Sequence, residues 1–148
     1  PLPVYVAAMG PKALRVTGEL ADGTLPYLAG PRTLEQFIVP TITAAAAGRP
    51  APKVIAAVPV LVTDDLDEGR ALAAANLEFY ATIPSYAKVI EREGVDSVAD
   101  LAAVGTAEDV ARQLRRYLDA GATDIVLSPL DRSGNTALEP IWDVAARL

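Results

Sequence analysis

The sequence contains no cysteine and no histidine. Within these 148 residues this excludes disulfide bonds, thiolate nucleophiles, zinc sites built from cysteine and histidine, and catalytic triads that use histidine. No evident pair of buried carboxylates takes their place. These absences favour a chain that is catalytically incomplete by itself.

Basic clusters and long apolar runs are absent as well. Lysine and arginine number 13 against 19 aspartates and glutamates, a net charge of −6, and no basic stripe is interleaved with aromatic residues. This argues against nucleic acid as a partner. No apolar run reaches the roughly 18 residues that a membrane-spanning helix needs, and no charged-then-apolar leader is present. We therefore expect no membrane association and a cytoplasmic location.

Hydrophobic residues make up 51% of the chain and recur in short runs separated by helical patterns. Four runs are predicted to be strands, at residues 4–8, 23–28, 54–63 and 125–129. Strands that alternate with helices pair in parallel through right-handed crossovers. This order fits half of an eight-stranded (β/α)8 barrel or a complete open sheet of four strands. No repeat or linker divides the chain, so we expect one domain over residues 1–148.

Helices are predicted after each strand, and about sixty residues between the third and fourth strands are too many for one crossover helix. The predicted helical ranges are 11–21, 33–47, 65–80, 85–93 and 106–121, with a short turn near 98–101 and a closing helix. Capping boxes are expected at Thr33–Gln36 and at Thr136–Glu139, and Thr106 is expected to cap the helix that it opens.

Two prolines interrupt otherwise regular patterns. Pro40 lies within the second predicted helix and should kink it. Pro59 lies within the strongest predicted strand. It predicts a bend there, or a missing N–H that would have pointed away from a neighbouring strand.

The first strand ends in Met-Gly-Pro and the chain then becomes helical at once. Gly10 can cap that helix or adopt a backbone conformation closed to other residues, and Pro11 suits the first helical position. Free N–H groups at a helix N-terminus favour a phosphate. The local pattern alone favours an ordinary strand-to-helix connection, because one glycine is neither a dinucleotide fingerprint nor a P-loop.

The charged clusters of the chain are interpreted as structural. Asp64 and Asp65 precede a helix and are expected to cap it. Three arginines near the end of another helix are expected to form a solvated face; they are Arg112, Arg115 and Arg116. Glu91, Arg92 and Glu93 are likewise predicted to be exposed surface.

Several segments taken together resemble the C-terminal half of the bacterial luciferase-like monooxygenase family. They are VYVAAMGP, GELADG, LPYLAGPRTL, PVLVTDD and DAGATDIVLSP. The resemblance runs through essentially the whole chain and is closest to actinobacterial members that use the deazaflavin coenzyme F420 rather than FMN. It implies a (β/α)8 barrel of which residues 3–8, 23–28, 54–62 and 124–129 are strands five to eight. A multi-helix insertion would precede the last strand.

The resemblance also implies a cofactor site. In deazaflavin-dependent members the loop after strand five lies along the phosphate-bearing side chain of the cofactor. Here the corresponding residues are Ala7, Ala8, Met9, Gly10 and Pro11. Active sites of such barrels form at the carboxyl ends of strands, in this chain at Pro26, Tyr27, Thr63, Asp64, Ser128 and Pro129. Of these, Tyr27 either lines a substrate pocket or simply packs.

Two function hypotheses of different classes follow. In the first, the chain is part of a flavin- or deazaflavin-dependent oxidoreductase that transfers hydride or activates oxygen on a small organic substrate, with F420 as cofactor and FMN as the alternative. Its acid–base residues remain unknown, because the family places them on strands one to four. In the second, the chain is a truncated, non-catalytic flavoprotein-like module for binding or assembly. A third reading, a small stand-alone phosphate-binding domain, rests on the Gly10–Pro11 junction alone.

Unpaired first and last strands and an open inner face would make half a barrel prone to aggregate unless they are covered. We therefore expect a homodimer, or pairing with the N-terminal half of the barrel.

Overall fold

The computed structural model describes residues 2–130 and 138–148. The strands are Tyr5–Val6 (β1), Gly23–Thr24 (β2), Lys53–Val62 (β3), Ala103–Gly105 (β4) and Asp124–Pro129 (β5). The helices are Pro11–Leu20 (α1), Pro31–Thr33 (α2), Val39–Ala45 (α3), Leu66–Ala81 (α4), Pro84–Glu93 (α5), Ala107–Asp119 (α6) and Glu139–Ala145 (α7). A π-helical turn, Leu34–Ile38, joins α2 to α3, and a 3-10 helix, Val98–Leu101, precedes β4.

Every strand pairing is parallel, as the alternation of strands and helices predicts. The order across the sheet is β1, β2, β3 and then β5, so consecutive barrel-type units lie side by side. Within the described residues β1 pairs only with β2 and β5 pairs only with β3. The sheet is therefore open at both ends and does not close into a barrel.

The short strand β4 was not predicted. It pairs with the carboxyl end of β3, from Val60 to Val62. The amide of Ala57 donates to the Pro26 carbonyl and that of Thr63 donates to the Gly105 carbonyl. Because alternate residues of a strand bond to the same neighbour, β2 and β4 share one edge of β3. Three residues are too few for a hydrophobic period, which explains why the sequence does not reveal β4.

The two faces of β3 differ in what covers them. The even-numbered side chains from Val54 to Val60 are buried against the helical layer formed by α1, α3, α6 and α7. On the opposite face, Ile55 and Ala57 are only half-buried. This second face is the one that would line the inside of a barrel, and we call it the inner face.

Pro59 costs this strand no ladder hydrogen bond. Even-numbered residues of β3 bond toward β5, as when Leu130 donates to the Val60 carbonyl. Pro59 faces the other edge, between the bridge at Ala57 and the β4 pairing that begins at Val60. The expectation of an N–H pointing away from a neighbouring strand is therefore confirmed.

Most predicted helix ends are confirmed. The Asp65 side chain caps α4 by accepting from the Glu68 amide at 2.9 Å. Gly94 ends α5 in the left-handed conformation, with φ of 75°. Thr106 caps α6 in a reciprocal capping box with Asp109. The predicted box at Thr136 lies outside the described residues.

The prediction of a capping box formed by Thr33 and Gln36 was wrong. Helix α2 begins two residues earlier, at Pro31, with Gly30 as its N-cap. Pro31 at the first helical position is compatible with this start because its missing N–H would have no partner there anyway. The irregularity expected from Pro40 takes the form of the π-helical turn just before it, in which the Val39 amide donates to the Leu34 carbonyl.

Among the described residues, no helix combines the length and apolar character needed to cross a lipid bilayer.

Candidate functional site

The predicted cofactor loop, residues 7–11, lies at the carboxyl end of β1 and leads directly into α1. Gly10 is the N-cap of α1 and has an extended backbone with φ of −94°, so it serves as a cap and not as a left-handed turn. No side chain caps this helix, and no acidic residue lies in its first turn. In contrast, α4 and α6 each carry a side-chain cap and two carboxylates there.

One buried hydroxyl holds the backbone of this loop. Thr24, on the neighbouring strand β2, has no exposed surface. Its Oγ1 lies 2.8 Å from the Ala8 carbonyl and 2.9 Å from the Val6 carbonyl, to which it can donate, and it accepts from the Ala8 amide at 3.3 Å. Sequence reasoning missed Thr24; the available signal was a lone hydroxyl within an apolar strand.

The loop combines one anchored residue with several exposed ones. Ala8 is 1% exposed and belongs to the main core, and half-buried Met9 packs against that core. Ala7, Gly10 and Pro11 are exposed. A Cβ placed on Gly10 would meet no atom within 4 Å. Nothing in the described chain therefore requires a glycine at this position, and the space over it is open.

The electrostatic setting of the loop is positive. The first turn of α1 contributes the positive end of a helix dipole and the exposed Lys12, with Arg15 one turn further along. The arrangement suits a negatively charged group. Metal binding finds no support in the described ranges, where no group of three or more carboxylates is placed to hold an ion.

Tyr27 lies just beyond β2 and forms a parallel bridge with Ala57. Its half-buried ring packs edge-to-face against Tyr80, with ring centroids 5.4 Å apart, and against Tyr86 at 6.5 Å. Both partners come from the helical insertion. Tyr27 therefore packs against the insertion, and its place in a substrate pocket stays a prediction.

Two of the remaining strand-end residues, Thr63 and Pro26, take part in local hydrogen bonds. Thr63 Oγ1 accepts from the Asp65 amide at 3.1 Å, which supports the start of α4. Asp64 beside them is exposed. Pro26 is buried and its carbonyl accepts from β3, while Ser128 and Pro129 are half-buried within β5.

Two of the three clustered arginines on α6 form contacts within the protein itself. Arg112 forms an ion pair with Asp109, and Arg115 donates to the Arg147 carbonyl. Asp109 is half-buried, and its hydrogen bonds with Thr106 and Arg112 lower the pKa of its carboxyl group. These contacts at the surface of α6 agree with the predicted solvated face.

The prediction of exposed surface was wrong for Arg92, which is half-buried, and for Glu93. Its half-buried carboxylate accepts from the Thr33 hydroxyl at 2.7 Å, the Thr33 amide at 2.8 Å and the Arg32 amide at 3.2 Å. Glu93, at the end of α5, therefore caps α2 across 60 residues of sequence. Next to it, the Arg92 guanidinium lies 3.6 Å from the centre of the Phe37 ring. The available signal was a helix that begins at Gly30-Pro31 without a polar N-cap.

A family model described as luciferase-like monooxygenase matches residues 1–124. The chain belongs to this family. Among curated proteins, 5,10-methylenetetrahydromethanopterin reductase from Methanolobus tindarius is 29% identical over 171 residues, an alignment that covers 95% of the chain and 52% of that protein. The chain spans about half the length of the curated relatives that it matches.

Solved structures show the same fold. An F420-dependent secondary alcohol dehydrogenase in complex with an F420–acetone adduct is 21% identical and superposes with a TM-score of 0.78 over 99% of this chain and 49% of its own. The oxygenating constituent of 3,6-diketocamphane monooxygenase from Pseudomonas putida, in complex with FMN, has a TM-score of 0.67 at 16% identity, over 98% of this chain and 48% of its own. The fold expected for this luciferase-like chain, four consecutive units of a (β/α)8 barrel with a helical insertion before the last, is confirmed.

Proposed function

We propose that this chain is the C-terminal half of an oxidoreductase that uses the deazaflavin F420, with FMN as the alternative cofactor, to act on a small organic substrate. The observation that carries the proposal is the loop at residues 7–11. It lies at the carboxyl end of a parallel strand, where barrels of this type place their sites. Relatives that match the chain are named for F420-dependent reactions.

The role assigned to the loop is to bind the phosphate-bearing side chain of the cofactor. Uncapped amides at the start of α1, an open space over Gly10 and two nearby cations suit a phosphate. Thr24 and the burial of Ala8 hold the backbone of the loop that leads to these amides before any ligand arrives. A preorganised loop loses less conformational entropy on binding.

The chain's own contribution is binding and orientation. When bound, the cofactor supplies the redox chemistry, as a hydride carrier or an activator of oxygen. Tyr27 is assigned to the wall of the substrate pocket. The family resemblance assigns the acid–base groups of the proposed enzyme to barrel strands one to four.

The exposed apolar surface supports pairing with those four strands. Among the described residues, thirteen large hydrophobic side chains are exposed. Ten of them lie on, or directly beside, the elements at the two ends of the layers: Leu2, Val4, Tyr5, Val6, Val16, Leu20, Val126, Leu138, Trp142 and Leu148. An N-terminal half-barrel docked on both flanks would cover β1, α1, β5 and α7 together.

Cofactor binding tests the central proposal. Fluorescence titration of the full-length protein should show binding of F420, and tighter binding of F420 than of FMN. Replacing Gly10 by alanine should weaken binding at least fivefold, because backbone and phosphate approach closely there, while the unfolding midpoint stays unchanged since the Cβ meets no protein atom. If the protein binds neither cofactor, or if Gly10→Ala binds F420 as tightly as wild type does, the proposed role of the loop is contradicted.

The intact mass of the natural protein tests the half-barrel assignment. A mass near twice the 15.5 kDa of this chain supports it. A mass near 15.5 kDa, with a dimer in light scattering, would mean that a second copy covers the open flanks and that the catalytic proposal should be withdrawn. The cytoplasmic location stays a prediction.

A further inference from the structure

Half of the aromatic residues in this chain are gathered at one place. The sequence has only one tryptophan, five tyrosines and two phenylalanines. Four of these eight rings contact each other in an unbroken series. Tyr80 lies 5.4 Å from Tyr27, 5.0 Å from Tyr86 and 6.3 Å from Phe79, measured between ring centroids. We call Tyr27, Tyr80 and Tyr86 the aromatic wall.

The wall stands over the inner face of the sheet. Bridge partners in parallel strands project their side chains to the same side, so Tyr27 shares the inner face with Ala57. The next residue, Leu28, has φ of 57°, the single positive value among the non-glycine residues of the described ranges. Leu28 is buried, so its packing maintains this strained backbone. Strained backbone of this kind is concentrated at functional sites.

Helix α4 brings the second tyrosine to this position by crossing the strand ends. Near its start, a Cβ on Gly69 would lie 2.7 Å from Val104 Cγ1 and 2.8 Å from Thr63 Cγ2, so the helix passes directly over β3 and β4. Eleven residues later, about 16 Å along the helix, Tyr80 meets Tyr27 beyond β2. The helix therefore extends over the mouth of the half-barrel.

Helix α5 brings the third tyrosine and is held at both of its ends. Tyr86 lies in its first turn and contacts Tyr27 and Tyr80. At its other end, Glu93 caps α2 through Thr33. The segment from Tyr27 to Thr33 thus fixes the whole helix, and with it the position of the Tyr86 ring.

The rings are not sealed inside the protein. All three tyrosines of the wall are half-buried, and the adjacent Phe79 is 70% exposed. Aliphatic side chains, including Leu28 and Leu61, pack around them. Burial raises the pKa of the Tyr86 phenol above its usual value, so this ring stays neutral at physiological pH. The wall therefore offers aromatic surface without an ionised phenol at Tyr86.

We propose that the aromatic wall selects the substrate by packing against a planar, uncharged ring. This inference rests on the proposed function, because it places the substrate beside the cofactor loop. β1 and β2 are adjacent strands, about 4.8 Å apart, and Tyr27 follows β2 just as the cofactor loop follows β1. Edge-to-face contacts favour an aromatic ring over an aliphatic one of the same size by about 2- to 13-fold.

The test uses two alcohols of similar size, one with a planar ring and one with a puckered ring, on the full-length protein. Calorimetric titration with benzyl alcohol and with cyclohexylmethanol measures the preference for a planar ring. The wild-type protein should prefer benzyl alcohol several-fold. Tyr80→Leu and Tyr86→Leu should abolish that preference, whereas Tyr80→Phe and Tyr86→Phe, which keep the ring, should retain it. F420 affinity should be the same in all four variants.

The outcomes separate the wall from the proposed function. If wild type binds neither alcohol, or if the leucine variants keep the preference, the wall does not select the substrate. If the leucine variants weaken the binding of both alcohols equally, the tyrosines serve only to pack the insertion, and the inference is also overturned. Failure of wild type to bind either cofactor would instead contradict the proposed function, while the ratio of the two alcohols still reports on the wall.

Discussion

Replacing Glu93 by alanine removes the carboxylate that caps α2 and ties the insertion to the barrel layers. Three hydrogen bonds are lost, two of them to Thr33, a residue with no exposed surface. Hydrogen bonds to a charged group contribute about 1.5–3 kcal/mol, and an anion at a helix N-terminus adds about 0.3–1 kcal/mol. Because the carboxylate is half-buried and partly solvated, we expect a loss of about 2–3 kcal/mol in the free energy of unfolding.

Gly30 provides a second way to break the same contact. A Cβ added there would lie 2.3 Å from the Glu93 Cδ atom, which forces the carboxylate away from Thr33. The backbone at Gly30, with φ of −77° and ψ of 175°, is open to any residue, so alanine brings no strain of its own. Gly30→Ala should therefore cost about as much as Glu93→Ala in the wild-type background.

In the Glu93→Ala background, the effect of Gly30→Ala on the free energy of unfolding should change sign. With the carboxylate gone, Gly30→Ala meets no obstacle from it and restricts the unfolded chain, so it should be neutral or stabilising by about 0.4–1 kcal/mol. The two changes should thus show a coupling energy of at least about 2 kcal/mol, at the upper end of what residues in contact give.

Urea unfolding of the full-length protein, followed by far-ultraviolet circular dichroism, measures the four free energies of this cycle. Glu91→Ala serves as the control, because Glu91 is exposed on the same helix and should change stability by less than about 0.5 kcal/mol. Equal costs of Gly30→Ala with and without Glu93 would refute the reasoning. The glycine would then be needed for something other than space for the carboxylate.

Three further changes have expected outcomes of their own. Thr24→Val keeps the shape but removes the hydroxyl that holds the cofactor loop, so it should cost about 1–3 kcal/mol in urea unfolding and weaken F420 binding in a fluorescence titration. Gly18→Ala should destabilise by about 1–3 kcal/mol despite the better helix propensity of alanine, because the Cβ would lie 2.6 Å from the Ile42 carbonyl oxygen; an unchanged urea midpoint would contradict this close contact. The hydrogen bond from Lys53 lowers the pKa of the Asp124 carboxyl. Its contribution to the free energy of unfolding is therefore present above the ordinary aspartate pKa and is lost as the pH falls through the lowered folded-state pKa. Asp124→Asn should flatten the fall in stability measured between pH 5 and 2, and an unaltered fall would contradict the assignment.

Features set by neighbouring residues could be predicted from the sequence. The caps at Asp65 and Thr106 and the end of α5 before Gly94 depend on contacts within a few residues, and the alternation of strands and helices follows from local hydrophobic periodicity. The place of the cofactor loop, between a strand and a helix opened by Gly10-Pro11, also follows from local pattern. Local chemistry is enough here because each partner lies within one helical turn.

Features that depend on distant partners were missed. β4 is held by pairing with β3 rather than by its own three residues. In the sequence, Glu93 cannot be distinguished from other charged residues of an exposed helix, because the amides that it caps lie 60 residues away. Thr24 stabilises the cofactor loop only because β1 and β2 pair, which places its hydroxyl beside the Ala8 carbonyl.

Local sequence patterns were therefore enough to predict the parallel α/β architecture, most helix ends and a loop that suits a phosphate. Only the folded chain shows that the insertion crosses the mouth of the half-barrel, that Tyr27, Tyr80 and Tyr86 meet there, and that one carboxylate holds α5 in position. The difference lies in the range of the interactions. Periodicity and capping act over a few residues, whereas these contacts join segments that only the folded chain brings together.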